Sequence, residues 1–326
     1  MDESELWRSR AVSSWQACER AGIRHRGGRT RVKEPAGVRA VPLWPFSQVL
    51  HTATVLSDAH LIARRVPHEL LVTLETYRAG TAYAERPTNK RRYFDDNAWI
   101  ALALIDYGTK DSLDSAARIF RFLEQGSDVI PNVGVGVRWV ESGFNHHACS
   151  TGSTGLVAIR LAHRNLLDRS QAFEFAGGCA DFLVSLVDQE GLVRDHRRPD
   201  GSIDGAVYTY NQGLAIGLLA EMGRRDQAVE LADRTIAAFG FDRLWKHAPV
   251  FNSIFIRELM ALNRDVRSRQ WCDYVRAYLD RVWTQARIPD SGLLCGGGMG
   301  AYDKDVLLDH AGLTHAMLAF GSALST

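Results

Sequence analysis

The connections between helical segments constrain this chain more than the segments themselves. Apolar residues recur at helical spacing almost throughout, and alternating strand patterns are scarce. The periodicity predicts about twelve helices, near 5–22, 43–65, 67–78, 93–108, 111–126, 145–165, 168–188, 206–222, 225–240, 249–262, 266–286 and 303–324. Gly108 and Gly223 supply stops, Asp111 an N-cap and Pro249 a first-turn proline. Links after the second, fourth, sixth, eighth and tenth helices are only a few residues long. Those after the first, third, fifth, seventh and eleventh run to about a dozen or more, and the ninth is intermediate. Short links force antiparallel neighbours, so the long loops gather at one end, each leading into the N-terminus of an even-numbered helix. Six antiparallel pairs closed into a toroid fit this rhythm. The expectation is an all-α fold in one domain over residues 1–326, six even helices inside and six odd ones outside. An open solenoid shares the hairpin unit, but no fixed-period repeat is visible. Long loops on a rigid scaffold carry function, so their rim is the expected active-site face.

Charge narrows the function classes. Lys plus Arg number 39 and Asp plus Glu 38, a net charge of +1, which argues against a dedicated nucleic-acid binder. Two basic clusters, Arg24 to Lys33 and Lys90-Arg91-Arg92, read as solvated loop charge, with contact to an anionic glycan or lipid headgroup as the alternative. No apolar run approaches the roughly 20 residues needed to span a bilayer, and no signal-peptide pattern opens the chain. The five cysteines, Cys18, Cys149, Cys179, Cys272 and Cys295, form no spaced cluster. Neither zinc nor a disulfide framework is therefore indicated. The expectation is a cytoplasmic protein with no membrane span, no cofactor and no metal.

Four polar or aromatic clusters fall at or before the starts of even helices. The sharpest is Tyr93-Phe94-Asp95-Asp96-Asn97-Ala98-Trp99. Two carboxylates in a first turn have an ordinary explanation in capping and the helix dipole. They also meet the requirement of glycosidic cleavage for one carboxyl to protonate the leaving oxygen and another to act as nucleophile or base. Mutual repulsion raises one pKa and so supplies the acid. Tyr208, Tyr210, Asn211 and Gln212 open the eighth helix with stacking rings and paired amide donors and acceptors. Trp139 is a candidate sugar platform. His146 and His147 behind it read as surface or capping residues, since i,i+1 neighbours point apart on a helix. The fourth cluster, Pro249 to Arg257, contains Asn252. The loop Gly292 to Gly300 is glycine-rich but lacks a phosphate loop's ending, so it reads as a turn or substrate-closing flap.

In their order these clusters resemble glycoside hydrolase family 76, which contains endo-α-1,6-mannanases and fungal cell-wall transglycosidases. The resemblance runs over Leu43 to Gln48, Tyr93 to Trp99, Tyr208 to Gly213 and Phe251 to Arg257. It implies an (α/α)6 barrel and a retaining hydrolase acting on α-1,6-linked mannosides. Asp95 would be the nucleophile and Asp96 the general acid/base. Asn211 and Gln212 would line the mannose cleft, with Trp139, Tyr208, Tyr210, Asn97 and Asn252 as further sugar-binding residues. The partner is then a mannose-containing glycan. The chain departs from the family at Gly134 to Val140, where a tryptophan-rich segment is usual, and at Ala148-Cys149-Ser150-Thr151-Gly152, where an asparagine is expected. Alternatives on the same barrel are a sugar epimerase using His146, His147, His310 or His315, an unsaturated uronyl hydrolase, a transglycosidase, or a non-catalytic glycan-binding protein.

Overall fold

A computed structural model of the chain describes residues 2–26, 29–296, 298–300 and 306–325. Among these residues it forms thirteen helices. They are α1 (Glu3–Gly22), α2 (Leu43–Asp58), α3 (Arg65–Leu74), α4 (Phe94–Tyr107), α5 (Lys110–Glu124), α6 (Ala148–His163), α7 (Arg169–Ser185), α8 (Thr209–Glu221), α9 (Arg225–Ala238), α10 (Phe241–Lys246), α11 (Pro249–Val266), α12 (Arg269–Arg281) and α13 (Val306–Ala323). All twelve expected helices are present, and the short α10 is an addition. Positions 303–305 of the last expected helix, and Gly297 of the glycine-rich loop, lie outside the described residues. Gly108 ends α4 in the left-handed region at φ 72°, and Gly223 has φ 75°. Thr109, not Asp111, caps α5 by accepting a bond from the Ser112 N–H.

Among the described residues the loops carry eight short strands in four antiparallel ribbons. They are β1 (Ile23–Arg26) with β2 (Arg29–Val32), β3 (Arg78–Ala79) with β4 (Ala82–Tyr83), β5 (Ser127–Ile130) with β6 (Gly134–Val137), and β7 (His146–His147) with β8 (His196–Arg197). Arg24, Arg26, Arg29 and Arg31 of the basic stretch thus lie in the paired strands β1 and β2. His146 and His147 are strand residues, not helical ones, and so point to opposite faces.

The chain divides into two compact units, residues 1–76 with 236–326, and residues 77–235. In the first, α13 packs against α1, α2 and α11. Fourteen of the 18 residues of α13 and of α11 are buried, against 5 of 13 in α12, so α13 and α11 are core helices and α12 a surface helix. His310 is fully buried there, donating from Nε2 to the Ser14 carbonyl and accepting the Leu294 N–H at Nδ1. Nδ1 of His315 accepts from Arg257 at 2.9 Å. Both rings are held as structural hydrogen-bonding groups.

The second unit repeats the division. Helix α6 packs against α4, α8 and α7. Of its 16 residues 14 are buried, and of α4's 14 residues 11, whereas α5 buries 6 of 15 along one stripe. Small residues let α6 approach its neighbours. A Cβ on Gly152 would stand 2.8 Å from Cβ of Leu214, and one on Gly155 2.7 Å from Leu218. The buried helices here are the expected even-numbered ones, and their N-termini carry the candidate site.

Candidate active site

Helix α4 is entered from Tyr93, which is extended (φ −107°, ψ 140°) and gives no side-chain cap. A bridge to Val140 and a bond from the Phe94 N–H to the Trp139 carbonyl hold Tyr93 against the 138–141 segment. The Arg92 guanidinium clamps that segment again by a two-pronged pair with Glu141 at 2.7 and 2.6 Å. Asp95 and Asp96 are therefore the second and third residues of a helix whose first turn is pinned from outside. Neither is the N-cap.

Their surroundings differ. Asp95 Oδ1 accepts the Asp96 N–H at 2.9 Å, and Oδ2 accepts the Trp139 indole N–H at 3.0 Å and, more weakly, the Cys149 thiol at 3.7 Å. Burial raises the Asp95 carboxyl to about 6 against the pull of these donors. Asp96 is 8% exposed and has no hydrogen-bond donor among the described residues. Burial first, then the charges of Asp95 and Glu85, push it well above the carboxylate range. No Lys or Arg ion pair neutralises either group among the described residues. Burial and the neighbouring charge of Asp95 hold the proton on Asp96 more tightly than on Asp95, so the environments of the two groups separate their roles.

The starts of α6 and α8 supply the next wall. Both helices are entered from extended residues without side-chain caps, His147 and Tyr208. The buried Cys149 thiol links Asp95 to Tyr210, whose hydroxyl bonds it. Trp139 is 42% exposed, its ring tilted by 54° against that of Tyr93, 5.0 Å away, and by 36° against that of His147, 5.7 Å away. Asn211 donates from Nδ2 to Asp195 Oδ1 at 3.2 Å, and its buried Oδ1 has no partner among the described residues. Asp195 Oδ2 lies 2.8 Å from Nδ1 of His196 and 3.6 Å from Nδ1 of His147. Burial lowers the His147 pKa to about 4 despite this carboxylate, so the ring is neutral at pH 7.

Of the residues expected to bind sugar, Trp139, Tyr210 and Asn211 come together with the acid pair through these contacts. Tyr208 joins them through its ring, 5.8 Å from that of Tyr210. Three others are committed to the scaffold. Asn97 is fully buried, accepting the Tyr83 N–H and donating to the Tyr83 and Tyr93 carbonyls. Gln212 does the same with Val193 N–H, the Val193 carbonyl and the Tyr208 carbonyl. Asn252, in the other unit, donates to the Leu244 carbonyl and the Tyr278 hydroxyl. Sequence reasoning missed Glu85, Asp195 and His196. The Arg194-Asp195-His196-Arg197 run carried a signal only if paired with His147, 49 positions earlier.

A sequence profile of glycosyl hydrolase family 76 matches residues 59–235. No curated protein matches the chain in sequence. Among solved structures, a family 76 mannosidase from Bacteroides thetaiotaomicron superposes with a TM-score of 0.80 at 17% identity, over 98% of this chain and 100% of its own. An inactive α-1,6-mannanase variant from Salegentibacter sp. HEL1_6 has two consecutive aspartates replaced by asparagine and α-1,6-mannotriose bound. It gives 0.78 at 18% identity over 98% and 100%. Dfg5 from Chaetomium thermophilum, in complex with glucosamine, gives 0.72 at 16% identity over 98% and 89%. These likenesses establish the fold, the all-α (α/α)6 class expected from the helix rhythm.

Proposed function

Because the chain belongs to glycosyl hydrolase family 76, we propose that it cleaves α-1,6-linked mannosides with retention of anomeric configuration, using Asp95 and Asp96. One observation carries the reading: two consecutive carboxyls whose environments are opposite, three donors on Asp95 and none on Asp96. The ionised Asp95 attacks the anomeric carbon while Asp96 gives its proton to the departing oxygen, so the C–O bond breaks as the glycosyl ester forms. Asp96, now a carboxylate, takes a proton from water that attacks the same carbon, and Asp95 leaves as the free carboxylate. Trp139 and Tyr208 offer stacking faces, and Asn211 a free carbonyl oxygen for a sugar hydroxyl. The Salegentibacter enzyme supports the assignment, since replacing two consecutive aspartates gives an inactive variant that still holds α-1,6-mannotriose.

The test is incubation with α-1,6-mannotriose followed by proton NMR of the fresh product, which should be the α anomer. Asp95→Asn and Asp96→Asn should each abolish turnover with the fold intact. A mannosyl donor whose leaving group needs no protonation should restore glycosylation in Asp96→Asn and not in Asp95→Asn. An initial β product, or equal rescue of both variants, contradicts the role assignment.

A further inference from the structure

We propose that His147, Asp195 and His196 form a binding site for one divalent transition-metal ion of the zinc class. The site is assembled by backbone pairing. In the β7–β8 ribbon His147 stands directly opposite His196, and the Ala148 N–H bonds the Asp195 carbonyl at 2.8 Å. The two imidazoles are thereby fixed side by side, stacked at 4.5 Å and 22°. Both Nδ1 atoms face one oxygen, Asp195 Oδ2, at 2.8 and 3.6 Å, and one ligand atom from each residue falls within a 4.8 Å cluster. Ligands about 2.0–2.2 Å from one zinc ion stand roughly 3–3.5 Å apart, a spacing that the 2.8 and 3.6 Å separations bracket, and the imidazoles would unstack to aim their in-plane lone pairs at the ion.

The surroundings match a held ion. Asn211 Nδ2 takes Asp195 Oδ1 and so turns Oδ2 toward the histidines, the outer contact that orients a ligating carboxylate. The side chains of His147, Asp195 and His196 are 15%, 14% and 13% exposed, enough to admit an ion and leave part of its shell for water or a sugar hydroxyl. Two imidazoles with one carboxylate favour zinc, cobalt or nickel over the hard, oxygen-seeking calcium and magnesium. The site lies on the α6–α8 side of the acid pair, where Asp195 acts electrostatically on Cys149 and Tyr210.

Zinc chloride titrated into the chelator-stripped full chain, followed by calorimetry, should show one ion per chain. His147→Gln, His196→Gln and Asp195→Asn should each weaken binding by about 10-fold or more, with near-UV circular dichroism unchanged. X-ray absorption of the wild-type zinc complex needs no variant and should show two imidazoles in the shell. Absence of saturable binding overturns the site. So does one-to-one binding that survives the double substitution of both histidines, or a shell without imidazole. Zinc binding is read without glycan and therefore stands or falls apart from the glycosidase reading.

Discussion

Replacing Trp139 with Phe keeps the ring and removes the indole N–H that Asp95 Oδ2 accepts at 3.0 Å. That bond favours the ionised form of Asp95, so its loss must raise the carboxyl further. A hydrogen bond to a charged group contributes about 1.5–3 kcal/mol. Trp139 is 42% exposed, and water replaces part of the loss. A remainder of about 1.4 kcal/mol is one pKa unit, which moves Asp95 from about 6 to about 7. In the proposed mechanism Asp95 attacks as the carboxylate, so the acid limb of kcat/KM for the proposed substrate α-1,6-mannotriose should shift up by about one unit. At pH 6 the ionised fraction falls from about one half to about one tenth, a roughly fivefold loss, while at pH 8 almost nothing is lost to protonation. Carbon-13 NMR titration of the aspartate carboxyls in the free protein reads the same shift without substrate. An unmoved acid limb, or a rate reduced by the same factor at every pH, refutes the claim that Trp139 holds charge on Asp95.

Asp96→Asn should stabilise the protein increasingly with pH. The folded value of Asp96 lies well above its ordinary 3.8, so the folded state binds more protons. Stability present below 3.8 is then lost as pH rises toward the folded value, by up to about 1.4 kcal/mol per unit. Melting temperatures of variant and wild type at pH 4.5 and pH 8 check this, and an equal difference at both contradicts it. Asn97→Ala removes three hydrogen bonds and should cost about 2–4 kcal/mol in urea denaturation. A rise in KM without loss of stability would instead make Asn97 a sugar ligand. Gly134→Ala should be among the most destabilising alanine substitutions in the β5–β6 ribbon. Its φ is 128°, and a Cβ would lie 2.3 Å from the Gly178 carbonyl oxygen. A melting temperature within a degree of wild type would count against that packing.

The helices were legible because burial imposes a period, and the stops because Gly108 and Gly223 occupy the left-handed region. The surface caps were readable in principle by chemistry: Asp2, Thr109, Asp168 and Ser268 each accept an N–H of the first turn. The acid pair was legible because adjacent carboxylates flanked by Tyr93, Phe94 and Trp99 exceed what a cap requires. The short ribbons were not, since two- to four-residue strands carry too few positions for an alternating pattern. With β7 and β8 unseen, His147 and His196 could not be placed together. Residue type was also a poor guide to amide roles. Asn97, Asn211, Gln212 and Asn252 offer the same groups, yet one holds a carboxylate and three hold backbone.

Position within the helix separates them. Helices α4, α6 and α8 share no residue identity in their first turns, which read Phe-Asp-Asp-Asn, Ala-Cys-Ser-Thr and Thr-Tyr-Asn-Gln. Their geometry is nonetheless common. The second residues, Asp95, Cys149 and Tyr210, form one chain of contacts at the candidate site. The fourth residues, Asn97, Thr151 and Gln212, each accept a backbone N–H from the segment leading toward their helix: Tyr83, Val137 and Val193. Asn252, fourth in α11, likewise bonds the preceding segment. Two positions along a helix turn the side chain by about 200°, so the second residue faces the site when the fourth faces the loop. Thr151 stands in the stretch where an asparagine was expected, and one hydroxyl suffices there because only the Val137 N–H must be met. The fourth residue of each helix thus holds its leading loop, and the bridge from Tyr93 to Val140 keeps Trp139 beside Asp95.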